Sequence, residues 1–118
     1  MRSDFYLDPH EVLSLYEKKF NVYTTGYVQH LSSLENRVFE IEIESLEGVK
    51  TKKVLKFYRP GRWSKEMIQE ELDFTFYLSS HDLAVILPEK NHHGDYLFTD
   101  DEVHWTCFPK KGGHVKHE

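Results

Sequence analysis

The chain has 118 residues, enough for one small domain, with 39% hydrophobic and 30% charged side chains. That balance excludes an intrinsically disordered chain, and the formal net charge of −5 argues against the basic surface that broad nucleic-acid binding needs. A single cysteine, Cys107, rules out an intrachain disulfide and fits a reducing cytoplasm. The stretch from Met1 to Leu7 does not read as a signal peptide, and no run approaches the length of a membrane span.

Asp8-Pro9-His10-Glu11 reads as a helix start, with Asp8 as cap and Pro9 at the first helical position. Val12, Leu15, Tyr16 and Lys19-Phe20 continue it as a helical stripe to about Asn21. The period then changes. Tyr27 to Leu31 reads as a strand, Ser32 to Asn36 as a turn, and Val38 to Ile43 as a strand with Phe39, Ile41 and Ile43 on one face. A turn at Glu47-Gly48 leads into a third strand, Lys53 to Tyr58. Arg59-Pro60-Gly61-Arg62 ends that strand, and Ser64 caps a helix from Lys65 to about Ser79. After a short connection through Leu83 to Pro88 and a turn at Asn91 to Asp95, two runs read as a hairpin across Asp100 to Glu102. They are Tyr96 to Thr99 and His104 to Phe108. The expected architecture is α+β: a five-stranded antiparallel sheet, one helix after the third strand, and an extra N-terminal helix. A protein-kinase-like N-terminal lobe has the same order of elements.

Lys56 interrupts an apolar run, and strand alternation puts Val54, Lys56 and Tyr58 on one face. An ammonium there needs an anion, an aqueous cleft, or an edge position from which it reaches water. On the following helix Met67, Glu71, Phe74 and Leu78 share one face, so Glu71 interrupts a stripe expected to face the core. Two opposite charges at inward positions of successive elements suit phosphoryl transfer, where a strand lysine contacts nucleotide phosphates and a helical glutamate orients it. A boundary carboxylate at the helix edge, with Glu70 beside it, is the other reading of Glu71. The turn Ser32 to Arg37 has no glycine; its backbone N–H groups and the Ser32 and Ser33 hydroxyls offer donors to an anion, and an ordinary hairpin turn fits it as well.

Ser33-Leu34-Glu35-Asn36-Arg37-Val38-Phe39, followed by Val54-Leu55-Lys56-Phe57-Tyr58-Arg59-Pro60-Gly61-Arg62-Trp63, resembles the bacterial stress response kinase A family. That family belongs to the aminoglycoside phosphotransferase and choline kinase-like group. Glu70-Glu71 and Phe108 to Gly113 match in order, so the resemblance runs along nearly the whole chain. It implies that residues 1–108 are an ATP-binding lobe and 109–118 a hinge toward a C-terminal lobe. It makes Lys56 the phosphate-binding lysine and Glu71 its partner, with Glu70 as the alternative. Ser33 to Arg37, including Asn36, becomes the phosphate-side loop. Val38 and Val54 roof the adenine ring. Cys107 to Lys110 is the hinge, where Pro109 lacks an N–H and the adenine is left the Phe108 carbonyl and the Lys110 N–H.

Kinases of this kind carry a catalytic His-Gly-Asp segment, a downstream Asn and a metal-binding Asp in the C-terminal lobe. The resemblance covers only the N-terminal lobe, so the expectation is an ATP-binding serine/threonine protein kinase-like lobe that does not catalyse transfer alone. The base and the magnesium ligands would lie in the other lobe. A non-catalytic interaction module, associating through an exposed apolar face or with a protein substrate, and a small-molecule kinase of the aminoglycoside or choline type are the alternatives.

Eight histidines invite a metal reading, but one cysteine and scattered histidines give no recognised ligand spacing. His92 and His93 are expected to point apart. Cys107 reads as a buried small hydrophobe or a hinge neighbour, and no Ser/His/Asp triad can be assigned. Arg59, Arg62 and Trp63 either pin the strand-to-helix turn or meet another lobe or a substrate.

Overall fold

The computed structural model describes residues 6–31 and 35–110. Helix α1, Pro9–Phe20, begins where Asp8 accepts a hydrogen bond from the His10 N–H, and it ends at Asn21, which adopts the left-handed conformation. Strands β1 (Thr24–Leu31), β2 (Arg37–Glu44) and β3 (Lys50–Phe57) form an antiparallel meander. Helix α2 (Lys65–Ser80) follows, then β4 (Phe98–Asp100) and β5 (Val103–Pro109). The five strands lie in the order β1-β2-β3-β5-β4, so β5 inserts next to β3 and the sheet is antiparallel throughout.

Turn chemistry sets the hairpins. Between β2 and β3 the Ser45 hydroxyl accepts from the Glu47 and Val49 N–H groups, and Gly48 takes the positive φ that closes the turn. Between β4 and β5, Asp101 and Glu102 both have positive φ, as a two-residue hairpin turn of the primed type requires. Ser64 caps α2 by accepting from the Met67 N–H at 3.1 Å.

Helix α1 covers one face of the sheet. Val12, Leu13 and Tyr16 pack on Phe39, Ile41, Leu55, Phe57, Phe98, Trp105 and Cys107, all of them buried. Trp105 stacks on Phe57 at 5.3 Å and its indole N–H donates to Asp100 at 2.9 Å, so its polar end is satisfied inside the core. Cys107 is a buried free thiol, held well above the usual thiol range by burial and then by the nearby Glu89 carboxylate.

Helix α2 lies against the other face through a smaller cluster, Tyr58, Ile68 and Leu72, joined by Trp63, Phe76 and Phe108. The stripe it buries differs from the sequence expectation. Met67 and Phe74 are 49% and 60% exposed, whereas Ile68 and Leu72 are buried. The helix carries two apolar stripes about one residue apart, and the sheet takes the Ile68–Leu72–Phe76 one. Among the described residues no helix is long and apolar enough to cross a membrane.

Candidate functional site

Lys56 lies in β3 between Val38 of β2 and Thr106 of β5, and one step along the strand Val54 lies between Glu40 and Phe108. Side chains two apart on a strand share a face. Lys56, Val38, Val54 and Phe108 therefore line one surface, opposite the one that α1 covers. Lys56 is half-buried and makes no ion pair among the described residues. Its Nζ sits 4.9 Å from the centre of the Tyr58 ring, a cation–π contact.

Tyr58 is the floor beneath that ammonium. It is 2% exposed, and its phenol is pushed up to about 12, chiefly by burial and further by the Glu71 charge; the Thr106 hydroxyl offsets part of the rise. The phenol thus stays neutral at physiological pH. Thr106 Oγ1 is itself buried, and among the described residues no group meets it at hydrogen-bonding geometry. Tyr58 and Thr106 are therefore neighbours and not a bonded pair.

Glu71 is exposed on the flank of α2 and does not interrupt the buried stripe, which contains no charged residue. No ion pair joins it to Lys56 among the described residues. The two charges are still related, because Tyr58 carries the Lys56 ammonium on its ring and feels the Glu71 carboxylate. Glu70 is likewise exposed.

The residues left without a role in the sequence, Arg59, Arg62 and Trp63, grip the turn before β2. The Asn36 side-chain oxygen accepts from the Arg59 backbone N–H at 3.0 Å, and the Glu35 carbonyl accepts from the Arg59 Nε at 3.0 Å. The Glu35 carboxylate accepts from the Trp63 indole N–H at 2.9 Å and faces Arg62 at 3.5 Å. Trp63 then meets Tyr58 edge-on, with ring centres 5.5 Å apart. Two motifs separated in sequence thus form one clasp, which fixes the start of β2 to the turn between β3 and α2. Asn36, expected beside the phosphates, is buried and spends its side-chain oxygen on this clasp. Ser33, with Ser32 and Leu34, lies outside the described residues.

At the other end of the face, Phe108 packs on the Tyr58 cluster. The Lys110 N–H, expected to be available to an adenine, donates to the Lys52 carbonyl at 3.3 Å. Its ammonium reaches Glu40 at 3.2 Å, and Lys52 approaches the same carboxylate at 3.7 Å. Sequence reasoning missed Glu40. It alternates with Glu42 and Glu44 and looks solvent-facing, yet it is 5% exposed because two lysines close over it. A similar pair, Lys53 and Glu89 at 2.7 Å, occupies the opposite face beside Cys107.

The histidine expectation is corrected in one respect: the rings of His92 and His93 do not diverge but lie 4.0 Å apart. Tight turning at Gly94, whose N–H donates to the Asn91 carbonyl, removes the extended geometry that would separate them. Among the described residues no group of three or more His, Cys, Asp or Glu converges as a metal centre would require.

No family model matches the chain. Stress response kinase A of Salmonella choleraesuis is 36% identical over 83 residues, which is 70% of this chain and 24% of that protein. The serine/threonine protein kinase RdoA of Salmonella typhimurium matches to the same extent, and stress response kinase A of Escherichia coli is 34% identical over the same length. The chain therefore spans about a quarter of the curated relatives it matches. Among solved structures, an amicoumacin kinase, hAmiN, determined with AMP-PNP, Ca2+ and Ami, superposes with a TM-score of 0.72 and 23% identity. The match covers 91% of this chain and 32% of that one. At that identity the likeness speaks for the fold. The chain is thus a relative of the stress response kinase A proteins, built as a kinase-like N-terminal lobe.

Proposed function

We propose that this chain is the ATP-binding N-terminal lobe of a serine/threonine protein kinase-like phosphotransferase of the stress response kinase A type, and that it does not transfer phosphate alone. The observation that carries the reading is Lys56. A half-buried ammonium with no ion pair among the described residues, set on a neutral aromatic ring beside aliphatic Val38, fits a surface that receives an anion. Nucleotide phosphates are such an anion, and Val38 and Val54 offer the apolar roof that an adenine ring needs.

In this reading Lys56 holds the phosphates, and Glu71 orients the ammonium when it leaves the Tyr58 ring. The clasp sets where Glu35 and Asn36 stand relative to Lys56, and Ser33 contributes from the same phosphate-side loop in this reading. An adenine edge would take the Phe108 carbonyl and would displace the long Lys110-to-Lys52 hydrogen bond to gain the Lys110 N–H. A divalent cation such as magnesium would neutralise charge on the phosphate oxygens, and its ligands, with the catalytic base, would come from outside this chain. The exposed Met67, Phe74 and Tyr77 of α2 suit a helix side that meets further protein.

The test is a Lys56→Ala substitution in a protein that includes this chain and the further length its relatives have. Phosphotransfer should fall by about 100-fold or more, while the thermal midpoint changes little. Transfer at the normal rate with Ala at this position would overturn the role of Lys56.

A further inference from the structure

A second cleft lies away from the Lys56 face, between the end of α1, the start of α2 and the segment 91–99, with a volume of about 590 Å³. Its charged and imidazole-bearing walls are Lys18, Lys19, Lys65, His92, His93 and Asp95. None of the residues assigned above to nucleotide binding lines it. The chain carries a net charge of −5, so cationic and N–H-bearing side chains from three separate segments on one concavity are not a matter of average composition. Cations in the last turn of a helix favour its dipole, which accounts for Lys18 and Lys19. It does not account for Lys65, which opens α2, or for the two histidines.

The charges are unevenly committed. Lys19 is paired with Asp100 at 3.6 Å, while Lys18 and Lys65 make no ion pair among the described residues. The backbone of one wall is also preformed. Asn91 donates from its side chain to the Lys19 carbonyl at 3.0 Å, and its side-chain oxygen accepts from the His93 and Asp95 N–H groups. Those bonds anchor the histidine-bearing turn to the end of α1, so a ligand would order side chains there and not the turn's backbone.

We propose that this cleft is a binding site for a small phosphoanion. Lysine ammoniums act on phosphate as compact point charges, and imidazole N–H groups add directed donors. The Asp95 carboxylate in the wall favours an anion that keeps a proton near neutral pH, as phosphates do and sulfate does not. The overall negative charge disfavours a long polyanion such as nucleic acid.

Inorganic pyrophosphate is the probe, titrated into the 118-residue chain and followed by backbone amide shifts. Saturable shifts at residues 18–21 and 91–99 are expected, with sulfate binding at least about threefold more weakly. The Lys18→Glu/Lys65→Glu pair, both exposed positions, should weaken pyrophosphate about tenfold or more as read at residues 18–21 and 91–99, and Lys56→Ala should leave the affinity read at those same residues within about twofold. The proposal is overturned by the absence of saturable shifts at residues 18–21 and 91–99, by equal binding of sulfate there, by shifts confined to the Lys56 face, or by indifference to the charge reversal. The Lys56→Ala control keeps the fate of this site separate from that of the nucleotide reading.

Discussion

The two faces of the sheet are made from the same strands and obey opposite rules. On the α1 side Phe39, Ile41, Leu55, Phe57 and Trp105 are at most 2% exposed, and the indole N–H of Trp105 is bonded. On the other side the same strands present Val38, Glu40, Val54, Lys56, Thr106 and Phe108, an alternation of aliphatic, charged and hydroxyl groups. Helix α2 covers only the part around Tyr58. Close packing and full polar satisfaction on one face hold the strands in register, so the other face can carry a half-buried cation without the fold depending on it.

The comparison breaks most directly at Trp105. Trp105→Ala should cost about 3–5 kcal/mol, measured as a shift in the urea unfolding midpoint, a large share of the stability of a domain this small. A loss below about 1 kcal/mol would mean that the α1 face does not carry the fold. The next effect is expected at the clasp. Glu35→Ala removes the acceptor for Trp63 and should cost about 1–2 kcal/mol, with faster amide exchange from Arg59 through the first turn of α2. Unchanged exchange there would show that the clasp does not couple the turn to the helix. The smallest effect, and the sharpest contrast, is Thr106→Val. It replaces a buried hydroxyl lacking a hydrogen-bond partner among the described residues by a methyl of the same shape, so stability should hold or rise by up to about 1 kcal/mol. A loss above about 2 kcal/mol would reveal a bond to Thr106 that matters.

Much of this frame was legible in the residues. Asp8 and Ser64 announce their helices because capping is local chemistry, and period-two alternation sets the faces of β2 and β3. The face of α2 was not legible. Met67–Phe74 and Ile68–Leu72 are competing stripes, and only the position of the sheet decides between them. Glu71 therefore stands at the flank and not inside the helix interface. The burial of Glu40 depends on Lys52 and Lys110, the latter 70 residues away, and no local pattern reports that. Arg59, Arg62 and Trp63 stood out as a motif, but their partners Glu35 and Asn36 lie across a hairpin whose register had first to be known.

The clasp has a consequence for the order in which the chain can assemble. Its Glu35–Arg59 bond spans 24 residues, most of them already folded back by the β2–β3 hairpin, whereas the Asn91–Lys19 bond that anchors the second cleft spans 72. Loop-closure entropy grows with the logarithm of length, so the longer closure costs about 0.6–1 kcal/mol more before any hairpin has formed, and more still once that hairpin has shortened the first. The clasp is therefore a nearly local contact, available as soon as one hairpin exists, and the Asn91 anchor is a late one that waits for both sides of the sheet.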